Sequence, residues 1–237
     1  MKDATTEAPR ESGLSNCEGK KNEQRRGGWT RHPIVLAGLL LLLSLAAYLP
    51  ALRCGFIWDD DIYVTQNAML TDANGLREIW FSAHGQSQYF PLVYTTLRVE
   101  RELWGLNPFG YHLVNILLHG LNAALVWVVL RRLQIPGAWL AAAIFALHPV
   151  QVETVAWVAE LKNIESLFFY LLALLAWMKF AELEGRTQWR YYGFALVAYL
   201  LALFAKTTAC TLPAGALMIM EKSTAGGSAC MSCHSGI

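Results

Sequence analysis

Hydrophobic and polar positions alternate in long blocks along this chain rather than residue by residue. Residues 34–52, IVLAGLLLLLSLAAYLPAL, run without a single charge. At 1.5 Å per helical residue, nineteen such residues are enough to cross roughly 30 Å of hydrocarbon. Further apolar blocks follow at 113–130, 138–158, 167–180, 192–205 and 208–220. The block at 138–158 is interrupted by His148-Pro149, and the last is short, so the pattern predicts about six transmembrane helices, give or take one. The expected fold is an all-α polytopic membrane protein. Polar stretches separate the blocks, and the longest, 53–111, is too long to be a simple connector and is expected to carry its own structure.

Composition agrees with the pattern. The chain has 237 residues, 55% hydrophobic and 16% charged, with a formal net charge of +1. So small and mixed a charge argues against nucleic acid as a partner. Residues 1–32 are rich in Glu, Lys, Asn, Gly and Ser and have nothing to bury, which predicts a disordered cytoplasmic tail. The first apolar block is too long, and its polar leader too extended, for a cleaved signal peptide. Lys20, Lys21, Arg25, Arg26 and Arg31 precede that block, and by the positive-inside rule they place the N-terminus in the cytoplasm. Arg131-Arg132 and the group Lys179, Arg186 and Arg190 then return to the same side. The external face is left with 53–111, the stretch 148–163 and the turn at Lys206.

Those external segments hold the chemistry. GFIWDDDIYV sets Asp59, Asp60 and Asp61 side by side, and three adjacent carboxylates require water, a cation or a function. HPVQVETVAWVAELKN brings His148, Glu153, Glu160 and Lys162 to the outer membrane edge, where ionisable groups are functional candidates by default. Lys206 sits between two apolar blocks, in a turn that needs no lysine, and calls for an anionic partner. The competing structural readings are a hydrated helix start for the aspartates, a snorkelling Lys162 and a helix-capping Glu153. Carboxylates and cations on one side of a membrane suit chemistry on an anionic lipid: a carboxylate takes a proton from a hydroxyl while cations stabilise a phosphate leaving group. In 113–130 and just before it, His112, Asn115, His119 and Asn122 are spaced three, four and three and share one helical face. Interhelical hydrogen bonding is the expected use of that stripe. Residues 91–104, PLVYTTLRVERELW, are expected to form an interfacial helix, and Asn107-Pro108 a turn into the next span.

Four motifs in order, WDDDIYVTQN, NPFGYHLVNILLHGLNA, ALHPVQVETVAWVAELKN and LFAKTTACTLP, resemble the membrane half of the transmembrane and tetratricopeptide-repeat O-mannosyltransferases and their bacterial relatives, of the GT-C glycosyltransferase superfamily. The resemblance runs over about 34–220. It implies transfer of a sugar, mannose in the eukaryotic members, from a polyprenyl-phosphate donor to a protein acceptor hydroxyl on the external face. Asp59 is then the general base or acceptor-orienting group, with Asp60 its neighbour. A divalent metal, if one is used, would fall to Asp60 and Asp61. Lys162 and Lys206 become donor-phosphate contacts, with Glu153 and His148 in support. Relatives read His-Pro-Val-His-Val-Glu-Ser and then Glu-Arg-Lys; here Gln151 and Leu161 stand at the second His and the Arg. The bacterial inner membrane is the expected location, rather than the endoplasmic reticulum.

The domain reading is thus a tail at 1–32, a GT-C-like membrane domain at 33–220, and a tail at 221–237 outside the resemblance that reads as truncated or frame-shifted. No repeat with a period near 34 residues appears. The last tail contains Cys230, Cys233 and His234 in the C-x-x-C-H spacing of covalent haem attachment, which raises a membrane-anchored c-type haem electron-transfer protein as an alternative. Against it, the tail offers little apolar surface to wrap a haem, and six spans would leave it in the cytoplasm. A non-catalytic membrane scaffold is the third class.

Overall fold

The computed structural model describes residues 32–82 and 88–217, and all its regular elements there are helices. The chain divides into two units, 1–37 and 38–237. Of the first, only 32–37 are described, the opening turn of helix α1 (Pro33–Tyr48). The tails, including Cys230, Cys233 and His234, lie outside the described residues.

In the second unit α1 continues through a 3₁₀ turn, Leu49–Arg53, so that Pro33–Arg53 forms one apolar rod. The first loop then packs short pieces: a π-helical turn (Asp61–Thr65), a 3₁₀ turn (Ala68–Leu70), α2 (Gly75–Phe81) and α3 (Pro91–Trp104). Helix α4 (Pro108–Arg132) begins where the sequence signals it. The Asn107 side chain accepts the Phe109 N–H at 3.1 Å, Pro108 occupies the first turn, and Arg131-Arg132 close the last one. Next come α5 (Ala138–Leu147), α6 (Gln151–Ala156), a 3₁₀ turn (Val158–Glu160), α7 (Leu161–Glu182), α8 (Arg186–Ala205) and a final 3₁₀ turn (Thr207–Thr211).

Three stretches are long and apolar enough to cross a membrane: Pro33–Arg53, Pro108–Arg132 and Val158–Glu182. The chain is therefore an all-helical integral membrane protein, but the expected six spans are not reached by this measure. Residues 138–158 divide at Pro149 into α5 and α6, because proline has no N–H and drives the preceding His148 to extended backbone, ψ 129°. Helix α8 has the length of a span, but Arg186, Gln188 and Arg190 occupy its first turns. Residues 208–220 open as a 3₁₀ turn and are described only to 217.

Helix α3, expected to lie in the membrane interface, packs into the core on one face. Its Val93, Tyr94 and Leu97 are buried in the largest core cluster, with Tyr63, Leu70, Ile79, Val158 and Leu161. The first loop is thus folded onto the helices, and Arg98 pins it there. Its Nη1 donates to the carbonyl oxygens of Met69 at 2.8 Å and Asp72 at 2.9 Å. Elsewhere the helices approach through small residues. Ala195, Ala198, Ala202 and Ala205 form a buried stripe on α8, facing α7, whose Ser166 hydroxyl donates to the Ala202 carbonyl at 3.1 Å.

The polar stripe of α4 is buried, and three of its four members, Asn115, His119 and Asn122, hydrogen-bond to other segments, whereas the ring nitrogens of His112 do not among the described residues. Asn115 Nδ2 donates to Trp157 O at 3.0 Å, His119 Nε2 meets Ala146 O at 3.1 Å, and Asn122 Nδ2 donates to Ile164 O at 2.9 Å. Ala146 lies in the last turn of α5, and Trp157 just past the end of α6. Carbonyls at helix ends lack an intrahelical donor. Of the three bonds, the one from His119 meets a carbonyl beside the Pro149 break, whereas Trp157 O also accepts the Glu160 N–H at 3.2 Å.

Candidate active site

The first loop and the second external motif meet along one seam, and Asp60 is its fastener. Its carboxylate is fully buried. One oxygen accepts the Ile57 N–H at 3.0 Å within its own turn; the other accepts the Ala159 N–H at 2.7 Å, from 99 residues further along the chain. Burial pushes the Asp60 carboxyl above the ordinary aspartate range, and the charges of Asp59 and Asp61 add to this, while the two backbone N–H groups pull the other way. Asp59 and Asp61 stand on either side, both exposed to solvent. Asp61 accepts the Thr65 hydroxyl at 2.8 Å, and the Asp61 carbonyl accepts the Gln66 N–H at 2.8 Å, closing the π-helical turn.

On the N-terminal side of Asp60 the seam ends in two tryptophans. Trp58 and Trp157 meet edge to face, ring centroids 5.6 Å apart, and Trp157 Nε1 donates to Ile57 O at 3.3 Å. On the C-terminal side it reaches the lysines. Lys162 Nζ is 2.9 Å from Glu160 Oε1 and lies 5.0 Å over the Tyr63 ring, itself stacked on Tyr94. The Asn163 amide donates to Glu160, and Lys206 Nζ donates to Asn163 Oδ1. Lys162, Glu160, Asn163 and Lys206 therefore form one connected group, two cations to one anion. A pocket of about 250 Å³ opens beside it, lined by Asn163, Ser166, Tyr170, Lys206, Thr208 and Thr211. One turn along α7, Ala173 and Trp177 join Leu196, Tyr199, Leu212 and Ala216 in an apolar groove of about 270 Å³.

Of the residues singled out in the sequence, the seam unites Asp59, Asp60, Asp61, Lys162 and Lys206. The immediate partner of Lys206 is an amide, not the acid or lipid phosphate expected of it, and among the described residues no carboxylate pairs with it. Glu153 is exposed in the first turn of α6. The exposed His148 accepts the Val150 N–H on Nδ1 at 3.2 Å and thereby shapes the turn at Pro149. Among the described residues no three His, Cys, Asp or Glu side chains gather as a metal site. Leu161, standing where relatives are expected to carry Arg, is fully buried in the main core.

Sequence reasoning gave Asn163, Trp58 and Trp157 no role. It also passed over a buried acid pair behind the seam. Glu100 on α3 continues the buried stripe of Val93 and Leu97, a spacing that marks it from sequence alone. Glu165 on α7 accepts the Thr96 hydroxyl at 2.7 Å. Burial, with the Glu165 charge adding to it, pushes the Glu100 carboxyl up to about 8.

A family model for dolichyl-phosphate-mannose-protein mannosyltransferases matches residues 90–226. The chain is similar to protein O-mannosyl-transferase Tmtc1 of Drosophila melanogaster, 33% identical in an alignment of 192 positions that covers 74% of this chain and 22% of that protein. It is similar to protein O-mannosyl-transferase TMTC2 of Homo sapiens, 32% identical over 60% of this chain and 18% of that protein. A third relative, protein O-mannosyl-transferase Tmtc3 of Drosophila melanogaster, is 29% identical over 70% of this chain and 22% of its own length. The chain spans about a fifth of the length of these curated relatives. No solved structure matches it.

Proposed function

Because this chain belongs to the dolichyl-phosphate-mannose-protein mannosyltransferase family, we propose that it is the GT-C-type membrane part of an enzyme that transfers a hexose, mannose in the first instance, from a polyprenyl phosphate to a hydroxyl of a protein acceptor. The observation that carries this reading is the seam itself, in which the buried Asp60, next to the exposed Asp59, bonds the Ala159 N–H three residues before Lys162, and Lys206 joins through Asn163. In the reaction the acceptor oxygen attacks the anomeric carbon, its proton passes to Asp59, and the bond from that carbon to the phosphate oxygen breaks. Lys162 and Lys206 receive the polyprenyl phosphate that departs. The Lys206 pocket suits the phosphate, and the apolar groove beyond it suits the first isoprene units. Leu161 leaves the two lysines as the cations of this region.

The orientation that fits places the N-terminus in the cytoplasm, with 53–111 and the seam on the luminal or periplasmic face. Residues 33–220 act as the membrane domain. The relatives named above are animal proteins, and they lend no weight to a bacterial inner membrane. They lend none to the haem or scaffold readings either.

The test is transfer of radiolabelled mannose from a polyprenyl-phosphate donor to a threonine-containing peptide in membranes carrying the chain. Asp59→Asn is expected to accumulate normally and to lower transfer by at least about a hundredfold, the lower part of the range for a missing general base. Undiminished transfer by that variant would sink the assignment of Asp59.

A further inference from the structure

Trp58 is the oddest residue on the seam. Its φ is +49°, in the left-handed region that bulky side chains rarely adopt. Glycine would occupy that position without strain. A tryptophan there is instead 80% exposed, so the fold gains little from burying it. Its neighbours nonetheless hold it in place: Trp157 abuts it edge to face and ties down the Ile57 carbonyl, while Asp60 ties down the Ile57 N–H. Ile57 is itself half exposed. An apolar platform thus stands immediately before Asp59.

Its position along the seam gives it a partner. The order of contacts is Trp58 with Trp157, Asp60 with Ala159, Tyr63 with Lys162, and Asn163 with Lys206. Displacement at an anomeric carbon needs the attacking oxygen opposite the departing phosphate oxygen, with the reacting atoms close to a line. If the phosphate sits at the lysine end, as the functional reading above requires, the acceptor enters from the tryptophan end. We infer that Trp58, buttressed by Trp157, is the acceptor platform, and that it takes an extended polypeptide in which the reacting serine or threonine is flanked by aliphatic or proline residues. Rigid aromatic rings bury large area at small entropic cost and dominate such contacts. The platform chooses the peptide, and the lysine end holds the lipid.

The inference is tested with the full chain in nanodiscs, in two binding arms. One is the fluorescence anisotropy of a labelled dodecapeptide with a central threonine flanked by valine and proline. The other is displacement of a fluorescent polyprenyl phosphate. Trp58→Gly relieves the backbone, so it is expected to melt no lower than the parent chain. It should nevertheless weaken the peptide about tenfold and leave the polyprenyl phosphate within about twofold, with Trp58→Phe falling between. Unchanged peptide affinity in Trp58→Gly overturns the platform and leaves the functional reading standing, as does a parent chain that binds the lipid but no peptide. A parent chain that binds neither overturns both. A third measurement identifies the rival occupant: if nitroxide headgroup lipids broaden the ¹⁹F signal of a 5-fluorotryptophan at position 58 before peptide is added, the ring lies among headgroups as a membrane anchor, and the platform is overturned.

Discussion

Two neighbouring aspartates with the same chemistry hold opposite positions, and the difference decides which substitution is informative. Asp60 accepts two backbone N–H groups in a dry setting; an asparagine there would satisfy one and confront the other with a second donor, costing about 1–3 kcal/mol. Asp59 is exposed, so its amide variant changes charge at little cost to the fold. The run of three acids was plain in the sequence. The division of labour among them was not, since the Asp60 partners are backbone groups, which carry no residue identity. The role of Asn163 escaped for a related reason: it works by joining Glu160 to Lys206, and only the fold brings 206 to 163. Glu100 gives a prediction at this scale. Its folded carboxyl titrates at about 8 against an ordinary 4.5, so the folded state holds its proton more tightly. The associated stability is complete below pH 4.5 and is lost as pH rises to about 8, a loss of at most about 3–5 kcal/mol. Glu100→Gln should match the parent at pH 4.5 and melt higher at pH 9, in calorimetry of the solubilised protein. Equal pH slopes for the two would refute a protonated Glu100.

At the level of elements, helix character and the bounds of α3 were legible, because each rests on local signals that tertiary packing left unopposed. Asn107 read only as a turn, and the structure makes it the cap of α4. The apolar block at 138–158 read as one interrupted span, whereas the structure makes it α5, α6 and a 3₁₀ turn. Hydropathy cannot tell a continuous rod from a broken one whose open carbonyl is met by another helix, and here His119 meets the carbonyl of Ala146. Close approach between α1 and α4 depends on Gly120. A Cβ there would stand 2.8 Å from Leu41 Cδ2 and 3.2 Å from Leu41 Cα. Gly120→Ala is therefore expected to destabilise by about 1–3 kcal/mol. Gly193→Ala on α8, with nothing within 4 Å of the new carbon, should instead stabilise by up to about 1 kcal/mol. Thermal melts of the two variants should move in opposite directions, and a shared direction would contradict this packing.

Across the whole molecule, the proposed orientation makes Cys54 and Cys210 report from the same side. Both are exposed and free, one just after α1 and the other in the turn beyond α8. In sealed vesicles with the first loop outward, a membrane-impermeant maleimide is expected to label variants keeping Cys54 alone or Cys210 alone. A variant keeping Cys17 alone should react only after permeabilisation. Labelling of Cys17 with protection of Cys54 would invert the topology and remove the aspartates from the luminal or periplasmic face. Charge asymmetry of the loops carried this orientation in the sequence, since it depends on counts of lysine and arginine rather than on any contact.

The bond from Asp60 to Ala159 also sets a clock. Ribosomes add about 5–20 residues per second, so the loop bearing Asp60 emerges roughly 5–20 s before its partner 99 residues later exists. For that interval the turn bearing Asp60 lacks its Ala159 donor, although contacts within the first loop, such as Arg98 with Met69 and Asp72, are already available. Maturation of the seam is thus tied to delivery of α6 and α7 rather than to the loop's own synthesis. In the proposed orientation, a chain stalled before Ala159 would present the aspartates without the Ala159 bond that buries Asp60.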